Sequence, residues 1–265
     1  MIRKRIGMEN VPESIDVLFH SEEKEFLVIC VSEDYGYERG DYWEKNVDIL
    51  GYVETETGSK SNIKGCLIYA DRDFEDCFFD NEKIYRIKGR LSKSSDNDIY
   101  VTEIISENEK NDFLTDLLTE YRKEVFVISA VLGKLILNKE LNWFETTVDW
   151  CGKNAGFSVN NNIDENITDA EEFYRNRHEW DKKAREYASE SLIELANDWK
   201  YSEVENDDDF VEITEKEFAE RLEINDIAFY ADGNFNIYYA DDDMFWGHTV
   251  IVSGNIRTGF NEAYF

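Results

Sequence analysis

The stretch from Asp232 to Gly254 limits what this chain can fold into more than any other. Asp232-Gly233 is a dipeptide suited to a tight hairpin turn, where both central residues need positive φ. Phe235, Ile237 and Tyr239 then alternate with Asn236 and Tyr238, the period of a half-buried strand. Asp241, Asp242 and Asp243 close a second turn. Met244 to Val252 runs apolar on both faces, which predicts a strand with neighbours on each side and a buried Trp246 in its middle. The expected product is an antiparallel meander at the C-terminal end of the chain. Such a sheet has a core face to cover, and the chain ahead of it offers helices for that.

Two segments read as those helices. Thr168-x-x-Glu171 has the form of a capping box. Phe173, Arg177, Trp180, Ala184, Tyr187, Ser191, Leu195 and Trp199 follow at spacings of three and four, predicting one long amphipathic helix over 169–199. Thr214-x-x-Glu217 opens a second, with Phe218, Ala219 and Leu222 inward. Ahead of them, 126–137 reads as strand interrupted by Gly133. A hairpin-like partner follows at 142–150, and Gly152 and Gly156 end the β section. Residues 123–265 are thus expected to form an α+β domain with a long helix and a C-terminal antiparallel meander.

Before it, short strand patterns recur at 15–19, 25–31, 47–55, 63–69, 83–91 and 99–105, separated by turn-prone residues. Six strands with no helix among them predict a small all-β barrel over 1–107, of the oligonucleotide/oligosaccharide-binding kind, with Gly89 marking a bulge. Phe113, Leu114, Leu117, Leu118 and Tyr121 predict a linker helix over 108–122. Arg86, Lys88 and Arg90 share one face of a strand. Three cations do not make a phosphate channel in a chain with 29 basic and 59 acidic residues, a formal charge of −30, and they read as a solvated face balanced by carboxylates.

The run Asp232-Gly233-Asn234-Phe235, the acidic turn Asp241-Asp242-Asp243 and the Phe245-Trp246-Gly247-His248 that follows it resemble the end of an uncharacterised bacterial family, domain of unknown function 2262. Leu132-Gly133-Lys134-Leu135-Ile136-Leu137-Asn138 and Val148-Asp149-Trp150 resemble its opening strands. The likeness spans roughly Val125 to Phe265. It implies a bacterial setting among small acidic proteins, some of them thought to neutralise toxins, and it brings no catalytic residues or cofactor.

The charge narrows the function classes. A field of −30 repels phosphate backbones and anionic membrane surfaces, so neither nucleic acid nor a membrane is an expected partner, whereas a basic protein is steered inward. No run approaches the roughly 18 apolar residues of a membrane span. The basic start Met1-Ile2-Arg3-Lys4-Arg5 has no apolar signal core after it, and the four cysteines show no metal-like spacing. These features predict a cytoplasmic protein with reduced thiols, without a cofactor and without a metal.

Acidity is densest between Glu203 and Glu223, with ten carboxylates against two cations. The candidate partner-binding residues are Asp207, Asp208, Asp209, Glu212, Glu215 and Glu220, forming an anionic face that Asp241–Asp243 extend. The motif residues Asp241, Asp242, Asp243, Trp246, Gly247 and His248 carry the rival reading, an enzyme or metal-binding protein using that hairpin. On an extended strand, however, His248 stands about 15 Å from the aspartates. His20 and His178 belong to no nucleophile motif. The expected function is that of an acidic protein-interaction module, an immunity-type neutraliser of a basic toxin.

Overall fold

The computed structural model describes residues 4–5, 12–72, 77–95, 97–203 and 210–265. They fall into two compact units, Met1–Lys123 and Glu124–Phe265.

The first unit contains β1 (Lys4–Arg5), α1 (Glu13–Asp16), β2 (Lys24–Cys30), β3 (Tyr35–Arg39), β4 (Tyr42–Glu54), β5 (Lys60–Ser61), β6 (Gly65–Asp71), β7 (Ile84–Leu91), β8 (Ile99–Ser106) and α2 (Asp112–Arg122). Five strands close into a ring: β2 pairs β4, β4 pairs β6, β6 pairs β8 in parallel, β8 pairs β7, and β7 returns to β2. This is the small barrel expected, closed so that its five strands expose little free edge. The register slips between Lys88 and Gly89, where the expected bulge lies. Phe26, Val28, Cys30, Val47, Ile49, Leu67, Tyr85, Ile87, Ile99 and Val101 fill the interior.

On the outside of β2 and β4, Ile29, Val31, Leu50 and Val53 form a second core with Leu114 and Leu118 of α2. Asn111 caps that helix, its side-chain oxygen accepting the Leu114 N–H. The segment read as a linker helix therefore packs on the barrel wall. One strand expectation fails. Residues 15–19 form the end of α1 and a turn, with Ile15 and Phe19 four apart against Ala70 and Tyr100. The β3–β4 hairpin was not legible, because Tyr35–Arg39 is nearly all exposed and shows no apolar alternation.

The second unit is an eight-stranded sheet in the order β16-β15-β14-β13-β12-β11-β10-β9. Its strands are β9 (Phe126–Ser129), β10 (Gly133–Asn138), β11 (Trp143–Trp150), β12 (Lys153–Asn160), β13 (Glu223–Phe229), β14 (Asn234–Ala240), β15 (Thr249–Asn255) and β16 (Gly259–Tyr264). Only β12 and β13 run parallel, because α3 (Ile163–Arg175), α4 (Arg177–Glu203) and α5 (Glu215–Arg221) are inserted between them. Asp232 and Gly233 both take positive φ, 61° and 77°, as the turn signal required. The β section does not end at Gly152 and Gly156. They flank and enter β12, whose Ala155, Phe157 and Val159 alternate into the core.

The long helix differs from expectation in two ways. It is two helices meeting at Asn176, and the first starts at Ile163, so Thr168 lies inside it and caps nothing. Ile163, Asn166, Ala170 and Phe173 form its buried face. Along α4 the buried ladder starts at Ala184, as predicted, and continues through Ala188, Leu192 and Ala196, one residue beyond the predicted Tyr187, Ser191 and Leu195, of which Leu195 is exposed. Phe173 is the hub, with Phe235 at 4.5 Å, Trp180 at 5.1 Å and Trp150 at 5.6 Å between ring centroids. No helix of the described residues is long and apolar enough to cross a membrane.

Candidate functional site

The acidic turn between β14 and β15 is not a strand. From Asp241 to His248 the chain folds into two successive turns, with Met244 N–H donating to the Asp241 carbonyl (3.1 Å) and His248 N–H to that of Phe245 (3.2 Å). The Asp241 side chain organises both. Its carboxylate, 2% exposed, accepts the backbone N–H groups of Asp243 (3.2 Å), Phe245 (2.6 Å) and Gly247 (3.2 Å). A buried carboxylate is costly unless hydrogen-bonded, and here three amides supply the compensation. Asp242, Asp243, Trp246 and Gly247 all sit at positive φ. Glycine adopts that geometry freely, but for tryptophan it is an outlier that costs on the order of 1 kcal/mol or more and persists only where surrounding contacts impose it.

The Asp241 carboxylate imposes it, and aromatic packing flanks the turn. Phe245 points inward and stacks on Phe265 (4.2 Å between centroids, 12° between planes), with Trp199 of α4 edge-on at 5.7 Å. Trp246 points outward. Its ring lies 4.5 Å from Trp199, yet the residue is 61% exposed. The sequence-based expectation of a buried Trp246 is therefore overturned: the positive φ there and at Gly247 breaks the strand, which begins only at Thr249. His248 is exposed and faces the Trp199 and Phe265 rings. Asp241 is fully engaged with backbone amides, so it does not converge on a shared site with His248. Among the described residues no group of three His, Cys, Asp or Glu side chains is arranged to hold a metal ion.

The turn is tied to α5. Arg221, in that helix's last turn, donates from Nε to Asp242 Oδ2 (2.8 Å) and from a terminal nitrogen to the Asp242 carbonyl (2.6 Å). The helix starts at the predicted capping box: Thr214 accepts the Glu217 N–H, and the Glu217 carboxylate accepts the Thr214 N–H and hydroxyl. Those bonds hold the Glu217 carboxyl below its usual pKa. Glu212, Glu215 and Glu220 are all exposed, and Lys216 beside them pairs with Glu220 at 3.6 Å. Arg221 thus brings the α5 carboxylates and Asp242 into one neighbourhood, two candidate groups far apart in sequence. A hollow of about 250 Å³ lies there, lined by Lys200, Val211, Glu212, Ile213, Glu217, Glu220 and Arg221. Asp207, Asp208 and Asp209 lie outside the described residues.

A second arrangement was missed by sequence reasoning. Asp181 of α4 accepts from Trp150 Nε1 (3.0 Å), the Tyr239 hydroxyl (3.1 Å) and Arg185 Nε (2.8 Å). Arg185 also donates to the Ala219 and Leu222 carbonyls at the end of α5, where a cation suits the helix terminus. Burial pushes the Tyr239 phenol well above its ordinary pKa, and the Asp181 charge adds to the rise. The spacing of Asp181 and Arg185, four apart, was the available signal. Nothing in the sequence pointed them at Trp150. This network locks α4, α5 and the sheet together, and so fixes the platform from which the 241–248 turn projects.

In the barrel, Arg86, Lys88 and Arg90 each meet a carboxylate, those of Glu25, Glu23 and Asp16. The stripe is charge-balanced as its surroundings suggested, but it is solvated only at Arg86 and Lys88; the Arg90 side chain is largely buried.

The fold and site define a two-unit protein: a five-stranded barrel, then a helix-backed sheet that presents a fixed, acidic, tryptophan-tipped turn. Residues 129–265, more than half of the chain, match the family described as an uncharacterized protein conserved in bacteria, DUF2262, and the chain belongs to that family. Residues 13–121 match a second model, a domain of unknown function, DUF7021. No curated protein and no solved structure matches the chain.

Proposed function

We propose that this protein is a binding module for a basic protein, which it takes on the acidic face formed by α5 and the 241–248 turn, with Trp246 as the anchor. The observation that carries this reading is Trp246 itself, largely exposed and held in a costly backbone conformation by a buried aspartate. A tryptophan fixed in advance loses little freedom on binding, and tryptophan and arginine are the residues most often found at the energetic centre of interfaces. A guanidinium or ammonium group above the ring gains cation–π attraction, on the order of 1 kcal/mol or more once desolvated. Around it, Glu212, Glu215, Glu220, Asp242 and Asp243 supply steering. Neutralisation of a basic toxin is the finer form of the role, since an acidic inhibitor gains both attraction to such a protein and a surface competing for its cationic site.

Affinity capture from a bacterial lysate tests the proposal. The expected result is one stoichiometric basic protein retained by the wild type, lost with Trp246→Ala and with Glu212, Glu215 and Glu220 reversed to lysine together. Asp149→Lys, the same kind of charge change elsewhere on the unit, should leave it bound. Retention that ignores Trp246 and follows net charge alone would refute the proposal.

A further inference from the structure

The eight-stranded sheet ends on two strands of opposite character. β16 carries Glu262 among its exposed residues, and an edge charge is a usual guard against strand pairing. β9, Phe126-Val127-Ile128-Ser129, carries none. Phe126 is 50% exposed and Ile128 66%, and Ile136, opposite Phe126 on β10, is exposed beside them. Val125, also exposed, lengthens the strip. Among the described residues no strand pairs with the outer side of β9.

The hydrogen-bond phase of that edge is fixed. The Leu137 N–H donates to the Val125 carbonyl at 2.8 Å, and the register pairs Leu135 with Val127 and Gly133 with Ser129. Antiparallel ladders alternate, so Val125, Val127 and Ser129 turn their backbone groups to β10, while Phe126 and Ile128 turn theirs to the free side.

We propose that β9 is a self-association edge, where a second copy of this chain adds its own β9 antiparallel about a two-fold axis at Val127. In that register Phe126 of each copy forms a hydrogen-bonded pair with Ile128 of the other, and Val127 faces Val127. All four outward N–H and C=O pairs at Phe126 and Ile128 are used. Side chains stay on their own faces, with an aromatic on a β-branched residue, a favourable cross-strand pair. A shift of one residue would throw the core-facing side chains onto the open face. An axis at Ile128 would pair Phe126 with Ala130, beyond the strand. Even if wholly covered, the strip offers less than about 1,000 Å² over both copies, which puts it in the class of weak interfaces. The charge of −30 on each copy opposes association, so the dimer is weak at low salt and tightens as salt screens the repulsion. The proposed capture of a basic partner has the opposite salt dependence, which keeps the two apart.

Sedimentation equilibrium of the full chain between about 1 and about 200 µM, in low and in about 0.5 M salt, tests this. A monomer–dimer equilibrium strengthened by salt is expected. Ile128→Pro removes an outward N–H and leaves the β10 ladder intact; it should weaken the dimer tenfold or more, as should Ile128→Lys, which keeps the backbone amide should the proline variant misfold. Facing residues of a non-hydrogen-bonded pair lie about 4.5 Å apart at Cα, within disulfide reach. Val127→Cys should therefore give a covalent 127–127 dimer on mild oxidation, and Val125→Cys should not. A wild type that stays monomeric throughout, an Ile128→Lys dimer as strong as wild type, or a dimer that Val127→Cys does not cross-link would overturn the proposal.

Discussion

Two tryptophans in the second unit are each governed by one aspartate, with opposite results. Asp181 accepts the indole N–H of Trp150, and that ring is 1% exposed between Phe173 and Tyr174. Asp241 binds the backbone on either side of Trp246, and that residue stands 61% exposed. In the first case the carboxylate satisfies a polar atom so that a large ring can be buried, and the benefit is stability. In the second the carboxylate satisfies amides so that a loop can hold an unfavourable shape, and the benefit is a ring displayed in a fixed position. Residue type does not separate a buried tryptophan from an exposed one; what the neighbouring acid holds does.

Substitutions break the comparison in a definite order. Trp150→Ala should cost about 3–5 kcal/mol in chemical denaturation, since it leaves a cavity beside Phe173 and strands the Asp181 carboxylate. Asp241→Ala should cost about 1–3 kcal/mol, because three inward amides lose their acceptor. It should also release the Phe245 and Gly247 amides to rapid hydrogen exchange, whereas Trp150→Ala should leave their local opening unchanged relative to global unfolding. A Trp150→Ala cost below that of Asp241→Ala would reverse the assignment of roles.

Tyr239→Phe sharpens the picture through pH. The Tyr239 phenol is held protonated above the ordinary 10.0 by burial and then by Asp181, whereas an unfolded tyrosine ionises near 10. Its contribution to stability is therefore complete below pH 10 and is lost as the pH rises beyond that, by up to about 1.4 kcal/mol per pH unit. Tyr239→Phe should lose about 1 kcal/mol at neutral pH, from the hydrogen bond to Asp181, and should show a shallower alkaline decline. Equal slopes would mean that the phenol is not held by the network. The smallest expected stability change is that of Trp246→Ala, within about 0.5 kcal/mol of wild type as for an exposed residue.

Much of the second unit's frame was legible because local chemistry and tertiary fold agree there. Asp232-Gly233 needed two positive φ values and has them, and Thr214-x-x-Glu217 is a working cap. Thr168-x-x-Glu171 has the same letters and no such role, because a threonine inside a helix looks like one at its start until the buried face is followed back to Ile163. The run 244–252 misled for a related reason. Its apolar residues serve two different purposes, Met244 and Phe245 in the core and Trp246 outside, and periodicity does not register a residue forced to positive φ. The signals were Gly247 and the aspartate ahead of the turn, whose side chain competes for backbone amides. Asp181's reach to Trp150 and Tyr239 joins residues 31 and 58 positions away, a contact that only packing creates.

The claim that Trp246 is displayed for a partner meets its most direct test in binding kinetics. With the basic protein captured by the wild type as the probe, association and dissociation rates would be measured for wild type, Trp246→Ala and the triple reversal of Glu212, Glu215 and Glu220, at about 0.01 M and about 0.1 M salt, where the screening length falls from roughly 30 Å to roughly 10 Å. Trp246→Ala should speed dissociation tenfold or more with association nearly unchanged, as for an anchor at the centre of an interface, while the reversals and added salt should chiefly slow association. A partner that leaves Trp246→Ala no faster than it leaves the wild type would contradict that claim.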